Sequence, residues 1–404
     1  MNSAGEVEAL VAEARPGEEL LQSTRLALFA LSMAAFLVSL DRAIFAPLLP
    51  ALAHDLRSSI SATGLAVTAY TLPYGFFQLF YGPVADRLGK IAVVRWAVLL
   101  FALGTGFCGL VLSLPTLYLL RAFTGACAAA VIPLSLAYIG DAVPYAQRQP
   151  VIATLMGMTS LGNALSTAIG GVIGEVLSWR ALFFLYGAGS LAAVFLLFRI
   201  HAHTASVTDR SASVSMASLA QYRRILLVGQ ARTLYLLVGL EGVLVTGAFT
   251  YIGAYLKTTF QFSYLFIGLI LSCYGGGTVL TTNLIRRLRG RWSERTLILL
   301  GGSLLGGGFL ALAPLPSGTL AVLPLLVMGA GFAAFHSTLQ MRATELVPGL
   351  RGTAVALFAF FLFLGGGVGT ALFSAVVGGP GYLPLLVSAG GGMLFVTVLA
   401  WIVW

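Results

Sequence analysis

Charge is scarce in this sequence. Only 9% of its residues are Asp, Glu, Lys or Arg, against 58% hydrophobic, where a soluble domain carries about 25% charged residues. A water-soluble fold would lack a polar coat, so lipid must be the solvent of most of the surface. Cysteine is nearly absent as well. Cys108, Cys127 and Cys273 each sit inside an apolar run, and an odd count without ligand spacing argues against disulfides and zinc. Glycine clusters at 275–277, 306–308, 365–367 and 390–392 lack the Lys-Ser/Thr ending of a phosphate-binding loop, so no ATPase is expected. They suit close helix packing instead. No cofactor and no metal are expected. Nothing resembles the short alternating strands of a membrane barrel.

What is present in abundance is the apolar run long enough to cross a bilayer, about 20 residues as a helix. Twelve are read at 26–50, 60–82, 91–112, 115–140, 150–174, 181–200, 232–256, 264–285, 296–314, 319–341, 353–377 and 383–404. The acidic, polar start of the chain does not resemble a signal peptide. The net charge of +9 is scattered between apolar runs, which fits membrane topology rather than nucleic acid. With the N-terminus cytoplasmic, eighteen Lys and Arg fall on the cytoplasmic side, from Arg15 and Arg25 through Arg87, Lys90 and Arg210 to Arg286, Arg289, Arg291 and Arg351. Three fall outside, Arg57, Arg180 and Lys257, and two inside spans, Arg42 and Arg121. This asymmetry predicts that both termini are cytoplasmic. Trp292, Trp401 and Trp404 then lie at that interface.

The long polar stretch at 201–224 divides the spans six and six. The expected organisation is a polar tail over 1–24, a six-helix bundle over 25–200, a cytoplasmic linker over 201–230 and a second six-helix bundle over 231–404. Two equal halves suggest an internal repeat. "DRLGKIAVVRW" after the second span matches "RRLRGRWSER" after the eighth, and "DAVPYAQR" after the fourth matches "ELVPGLR" after the tenth. Asp141 and Arg148 should therefore occupy places equivalent to those of Glu345 and Arg351, with the carboxylates near the basic loops.

"GPVADRLGK" at 82–90 resembles the loop between the second and third helices of the major facilitator superfamily, with Gly82, Asp86, Arg87, Gly89 and Lys90 matching. "LDRAIFAPLLP" at 40–50, "LRAFTGACAAA" at 120–130 and "SWRALFF" at 178–184 resemble other helices of its twelve-helix drug/proton antiporters. The resemblance implies an all-α membrane fold of two pseudo-symmetric six-helix bundles. It also implies a conformational latch in which Asp86 faces the start of span eleven near Gly352 and Thr353. The glycines are read as allowing a tight turn and close helix approach; a merely topogenic loop is the plainer alternative. One departure is visible: "GNALSTAIGG" carries Ser166 and Thr167 where the antiporter motif of the fifth helix has Gly-Pro, which leaves the direction of transport open.

Ionisable groups inside a span are expensive and mark function by default. Asp41 lies roughly 5 Å past the middle of span one and Arg121 roughly 9 Å into span four from the same side, so the two can pair. A carboxylate that alternates between an arginine and a proton would couple transport to a proton gradient; a permanent structural bridge is the alternative. Arg42, on another face, is read as reaching the interface or a second acid. Glu241 in span seven is either a second proton site, a cation site or a neutral acid bonded within the bundle. His336 and Gln340 share one face of span ten, as packing or as polar contacts at the inner cavity mouth. Tyr70, Tyr74 and Gln78 form a stripe in span two, with Asn163 as a neighbour and Tyr251 and Tyr255 across the halves. These suit an amphipathic organic ligand, or a packing seam.

The reading is a secondary transporter working by alternating access, most readily a proton-coupled exporter of a small amphipathic organic compound, with uptake or lipid flipping as alternatives. Its partners are that solute, protons and the lipid bilayer, not nucleic acid. A monomer in the inner membrane is expected. A membrane enzyme would need grouped His, Asp and Glu, whereas His54, His201 and His203 fall in loops and His336 stands alone. A sensor would be expected to carry a further soluble domain.

Overall fold

A computed structural model describes residues 24–200, 214–287, 292–347 and 349–403. Most of the polar tail and the first part of the linker lie outside these, as do Arg15, Arg210, Arg289, Arg291 and Trp404. Among the described residues all regular structure is helical. Eleven helices among the described residues are long and apolar enough to cross a membrane. A twelfth, Ile60–Leu88, has 29 residues but carries Tyr70, Tyr74 and Gln78 within its apolar run.

Spans one, two, five, seven and eleven run further than apolar continuity suggests, whereas span three ends at Cys108, short of the expected 112. Span one is Thr24–Ala43 followed, after a break at Ile44, by Phe45–Asp55. Pro47 has no N–H to give the Ala43 carbonyl, which explains the break. Span two, Ile60–Leu88, begins on a Ser59 cap that accepts from Ala62 N–H at 3.1 Å and ends at Gly89 with φ of 89°. Span three is Lys90–Cys108, and span four is Leu114–Ala128 and Val131–Ala142. Span five is Tyr145–Val176 and span six Trp179–Arg199. A linker helix, Val214–Leu226, precedes span seven, which is Gly229–Glu241, a π-helical turn Gly242–Thr246 and Gly247–Phe260. Spans eight to twelve are Tyr264–Arg287, Glu294–Leu312, Val322–Ala343 after a short 3₁₀ turn, Arg351–Gly378 and Tyr382–Val403.

Packing repeats between the halves. Span two packs on span four as eight does on ten, three on six as nine does on twelve, and one on five as seven does on eleven. The halves meet through spans two and eleven, five and eight, and one and seven. These contacts lie toward the end opposite the basic residues. Ser374 Oγ donates to the Ser61 carbonyl at 2.8 Å and Thr68 Oγ1 to the Gly367 carbonyl at 2.9 Å. Gly171 and Gly268 let spans five and eight touch backbone to backbone. The Tyr264 N–H donates to Glu175 there at 2.7 Å. Toward the basic end, spans four and five make no extensive packing on spans ten and eleven among the described residues. The linker helix bridges the halves instead: Tyr222 donates to the Leu79 carbonyl at 3.0 Å, and Thr353 Oγ1 donates to Gln221 at 3.2 Å. The molecule is thus sealed at one end and parted at the basic end.

Candidate functional site

Arg121 and Asp41 form an ion pair inside the first half. Arg121 Nη1 lies 2.7 Å from one carboxylate oxygen and 3.0 Å from the other, and both residues are buried. The break at Ile44 follows directly on this turn of span one, and Ser166 donates to the Leu40 carbonyl at 2.5 Å. So the serine that departs from the antiporter pattern fastens span five beside Asp41. The guanidinium lies over Tyr70 at 4.2 Å and Phe45 at 4.8 Å, faces that favour a cation. Gly125, one turn on, has no Cβ to run into the Tyr70 backbone, which lets spans two and four approach. Around the pair, Ser39, Tyr70 and Tyr186 carry buried hydroxyls with no hydrogen-bond partner among the described residues.

Glu241 and His336 form a second pair in the other half. Nδ1 of the imidazole lies 3.2 Å from each carboxylate oxygen. Glu241 is fully buried, whereas His336 is half-buried and Gln340, one turn nearer the basic end, is exposed. The ring of His336 stacks on Phe332 at 4.7 Å and meets Phe358 at 5.3 Å. The π-helical turn starts at the next residue after Glu241; such turns recur at functional sites. His336 is therefore not alone, as its isolation in the sequence suggested, because its partner is 95 residues away.

Arg42 is the residue that sequence reasoning undervalued. No carboxylate pairs with it among the described residues. It donates from Nη2 to Asn163 at 2.8 Å and lies over Phe363 of span eleven at 5.3 Å. Asn163 thus serves Arg42 rather than the span-two stripe. Of that stripe, Tyr70 belongs to the Arg121 pair, Tyr74 contacts Phe363 at 4.4 Å, and the Gln78 side-chain oxygen is buried without a partner among the described residues. Tyr251 and Tyr255 are buried with their hydroxyls on the Thr370 and Leu312 carbonyls at 3.0 and 2.9 Å.

At the basic end, span two stays helical through Gly82, Asp86 and Arg87. Gly82 faces open space, so the tight turn and the close approach expected of it are absent; only Gly89 makes the turn. Asp86 is exposed, and it has no ion pair or hydrogen bond among the described residues. Thr353, where Asp86 was expected to face, is bonded to Gln221. Lys90 is ion-paired with Asp141. In the second half the pair at the corresponding helix ends is Arg342 with Glu294. Arg148 Nε donates to the Val143 carbonyl at 2.8 Å, and Arg351 opens span eleven.

The sequence model of the Major Facilitator Superfamily matches residues 31–370. The chain belongs to that superfamily. It is a transporter and not an enzyme. An "Uncharacterized MFS-type transporter YceJ" of Bacillus subtilis is 26% identical over 347 residues, covering 83% of this chain and 85% of that one. The "Multidrug resistance protein fnx1" of Schizosaccharomyces pombe is 30% identical over 213 residues, covering 52% of this chain and 39% of that protein. Among solved structures, a D-xylose-proton symporter superposes with a TM-score of 0.76 at 16% identity, covering 94% of this chain and 97% of the other. A bacterial homologue of the human lysosomal transporter Spinster, described as inward-facing and unoccupied, does so with a TM-score of 0.74 at 18% identity, covering 94% and 95%. At such identities the likeness is one of fold.

Proposed function

We propose that this transporter exports a small amphipathic organic compound in exchange for protons across the inner membrane, as a monomer with both termini in the cytoplasm. The observation that carries the reading is the buried Asp41–Arg121 pair. Ionised, Asp41 is held by the arginine; once protonated, it no longer needs that partner, and the first half is free to change its packing. The excess of Lys and Arg at one end supports a cytoplasmic basic end, so the parted halves open toward the cytoplasm. In that state Asp86 has not reached span eleven. Gln221 occupies Thr353 instead, so the linker helix and the Asp86 latch compete for one place and hold opposite conformations.

The test is solute flux in proteoliposomes under an imposed pH gradient. Asp41→Asn should abolish gradient-driven transport and retain solute exchange at equal pH, since exchange moves no net proton. Full gradient-driven transport by this variant would sink the assignment of Asp41. A second reading, uptake, draws on Ser166 and Thr167 in place of the antiporter Gly-Pro. Reversing the gradient separates the two, because an exporter concentrates solute on the side from which protons leave.

A further inference from the structure

We propose that Arg42 is the recognition residue for the solute, and that the solute class is an amphipathic organic anion bearing an aromatic or other flat apolar group. The inference rests on the reading of the protein as a carrier of a small organic solute. It begins from a charge ledger of the middle of the spans. Asp41 is matched by Arg121, and Glu241 is in contact with His336, which carries a positive charge only when protonated. Arg42 is left with a full positive charge and, among the described residues, no acid. A guanidinium at the centre of a bilayer is costly and persists where it faces a polar path or a ligand.

The geometry favours the anion over a cation. Glu241 is fully enclosed and both of its oxygens are held by His336, so a cationic solute would first have to displace the imidazole. Arg42 is half-buried and, among the described residues, makes one hydrogen bond, from Nη2 to Asn163. A guanidinium has five N–H donors, so most remain to meet a carboxylate, sulfonate or phosphate, where its planar fork is strongest. Asn163 holds the side chain with its amide oxygen and offers no negative charge, orienting Arg42 without neutralising it.

Position matters as well. Arg42 stands in span one, Asn163 in span five and Phe363 in span eleven, so this group draws on both halves. Tyr74 reaches it from span two through Phe363. An anion on Arg42 with its apolar part against Phe363 and Tyr74 would touch elements of both halves, which must move relative to one another in alternating access. A ligand shifts such an equilibrium only through contacts that differ between the two states, and contacts to both halves can differ.

The experiment uses the purified full-length protein and two probes of the same ring system and opposite charge, naphthalenesulfonate and naphthyltrimethylammonium, each titrated in detergent without a gradient. The wild type should bind the sulfonate at least about tenfold more tightly than the ammonium. Arg42→Gln should lose that preference. Asn163→Asp should lose it too, since a carboxylate beside Arg42 neutralises it while keeping the bond that orients it. Arg42→Lys keeps the charge and should retain part of the preference, which guards against reading a folding defect as lost recognition. A preference for the ammonium, sulfonate binding unchanged in Arg42→Gln, or no sulfonate binding by the wild type would each overturn the inference. An ammonium preference that disappears in Glu241→Gln would move recognition to the other half. Sulfonate that binds through Arg42 but is not moved by a pH gradient leaves this inference standing and removes the proton-driven exporter. Gradient-driven flux of the ammonium without sulfonate binding does the reverse.

Discussion

Tyr222 donates its hydroxyl to the carbonyl of Leu79 across 3.0 Å. That carbonyl is available because the residue one turn later is Pro83, inside the span-two helix, and proline has no N–H to offer it. An orphaned carbonyl near the basic end thus becomes a docking point for the linker helix, while Gln221 beside it accepts from Thr353 in the other half. The two bonds tie spans two and eleven to a common strap.

The strap should favour the state parted at the basic end. Tyr222→Phe removes one hydrogen bond, worth about 1 kcal/mol, and should shift the population toward closure at that end by about fivefold. Maleimide labelling of a cysteine introduced as Gln340→Cys, with the native cysteines replaced, should slow accordingly. Unchanged labelling, or faster labelling, would show that the strap does not hold this state.

The Asp41–Arg121 pair makes a prediction about stability and pH. Removing one member of a buried pair costs about 3–5 kcal/mol because the other charge is stranded. The two single variants should differ in how that cost responds to acid. Arg121→Gln leaves a carboxylate, which can escape the penalty by taking a proton, so its loss of Tm should shrink as pH falls. Asp41→Asn leaves a guanidinium, which cannot lose its charge at accessible pH, so its loss should stay constant. Melting curves of both variants from about pH 8 to about pH 5 check this; a parallel response of the two would refute it.

This pair was legible in the sequence because charge is so costly in a bilayer that two opposite charges at similar depth announce each other. The helical fold was legible for the same reason, through apolar length alone. What escaped was whatever depends on backbone detail or distant partners. The break at Ile44 follows from Pro47 but is hidden by an unbroken apolar run. Gly82 and Gly89 look alike in "GPVADRLGK", yet only Gly89 adopts a positive φ. Glu241 and His336 each read as isolated because nothing local links them. Arg42 looked like an arginine reaching for the interface or a second acid, since the neutral Asn163 gives no charge signal at all.

Glycines in the recognisable motifs should therefore respond unequally to alanine. Gly125→Ala forces a methyl into the Tyr70 backbone, and overpacking of this kind costs about 1–3 kcal/mol. Gly82→Ala meets nothing within 4 Å and, in the interior of a helix, should be neutral or slightly stabilising. Tm values in one detergent decide it. Equal losses at the two positions would mean that helix approach is not what Gly125 provides.

The Glu241–His336 pair should behave as a unit rather than as two independent groups. Glu241 is fully buried, and a buried acceptor stripped of its partner costs about 1–3 kcal/mol. His336→Leu should lower the Tm by leaving that carboxylate facing a hydrocarbon side chain. Glu241→Gln alone should cost little, because the amide is neutral and can either donate to or accept from the imidazole, whichever tautomer it adopts. The double variant should then be more stable than His336→Leu alone, since the stranded group no longer carries a charge. This is the sign of coupling in a double-mutant cycle. Four melting temperatures measured in the same detergent complete the cycle. Strictly additive losses would show that the imidazole and the carboxylate do not depend on each other, and that the packing of His336 between Phe332 and Phe358 accounts for its place in span ten.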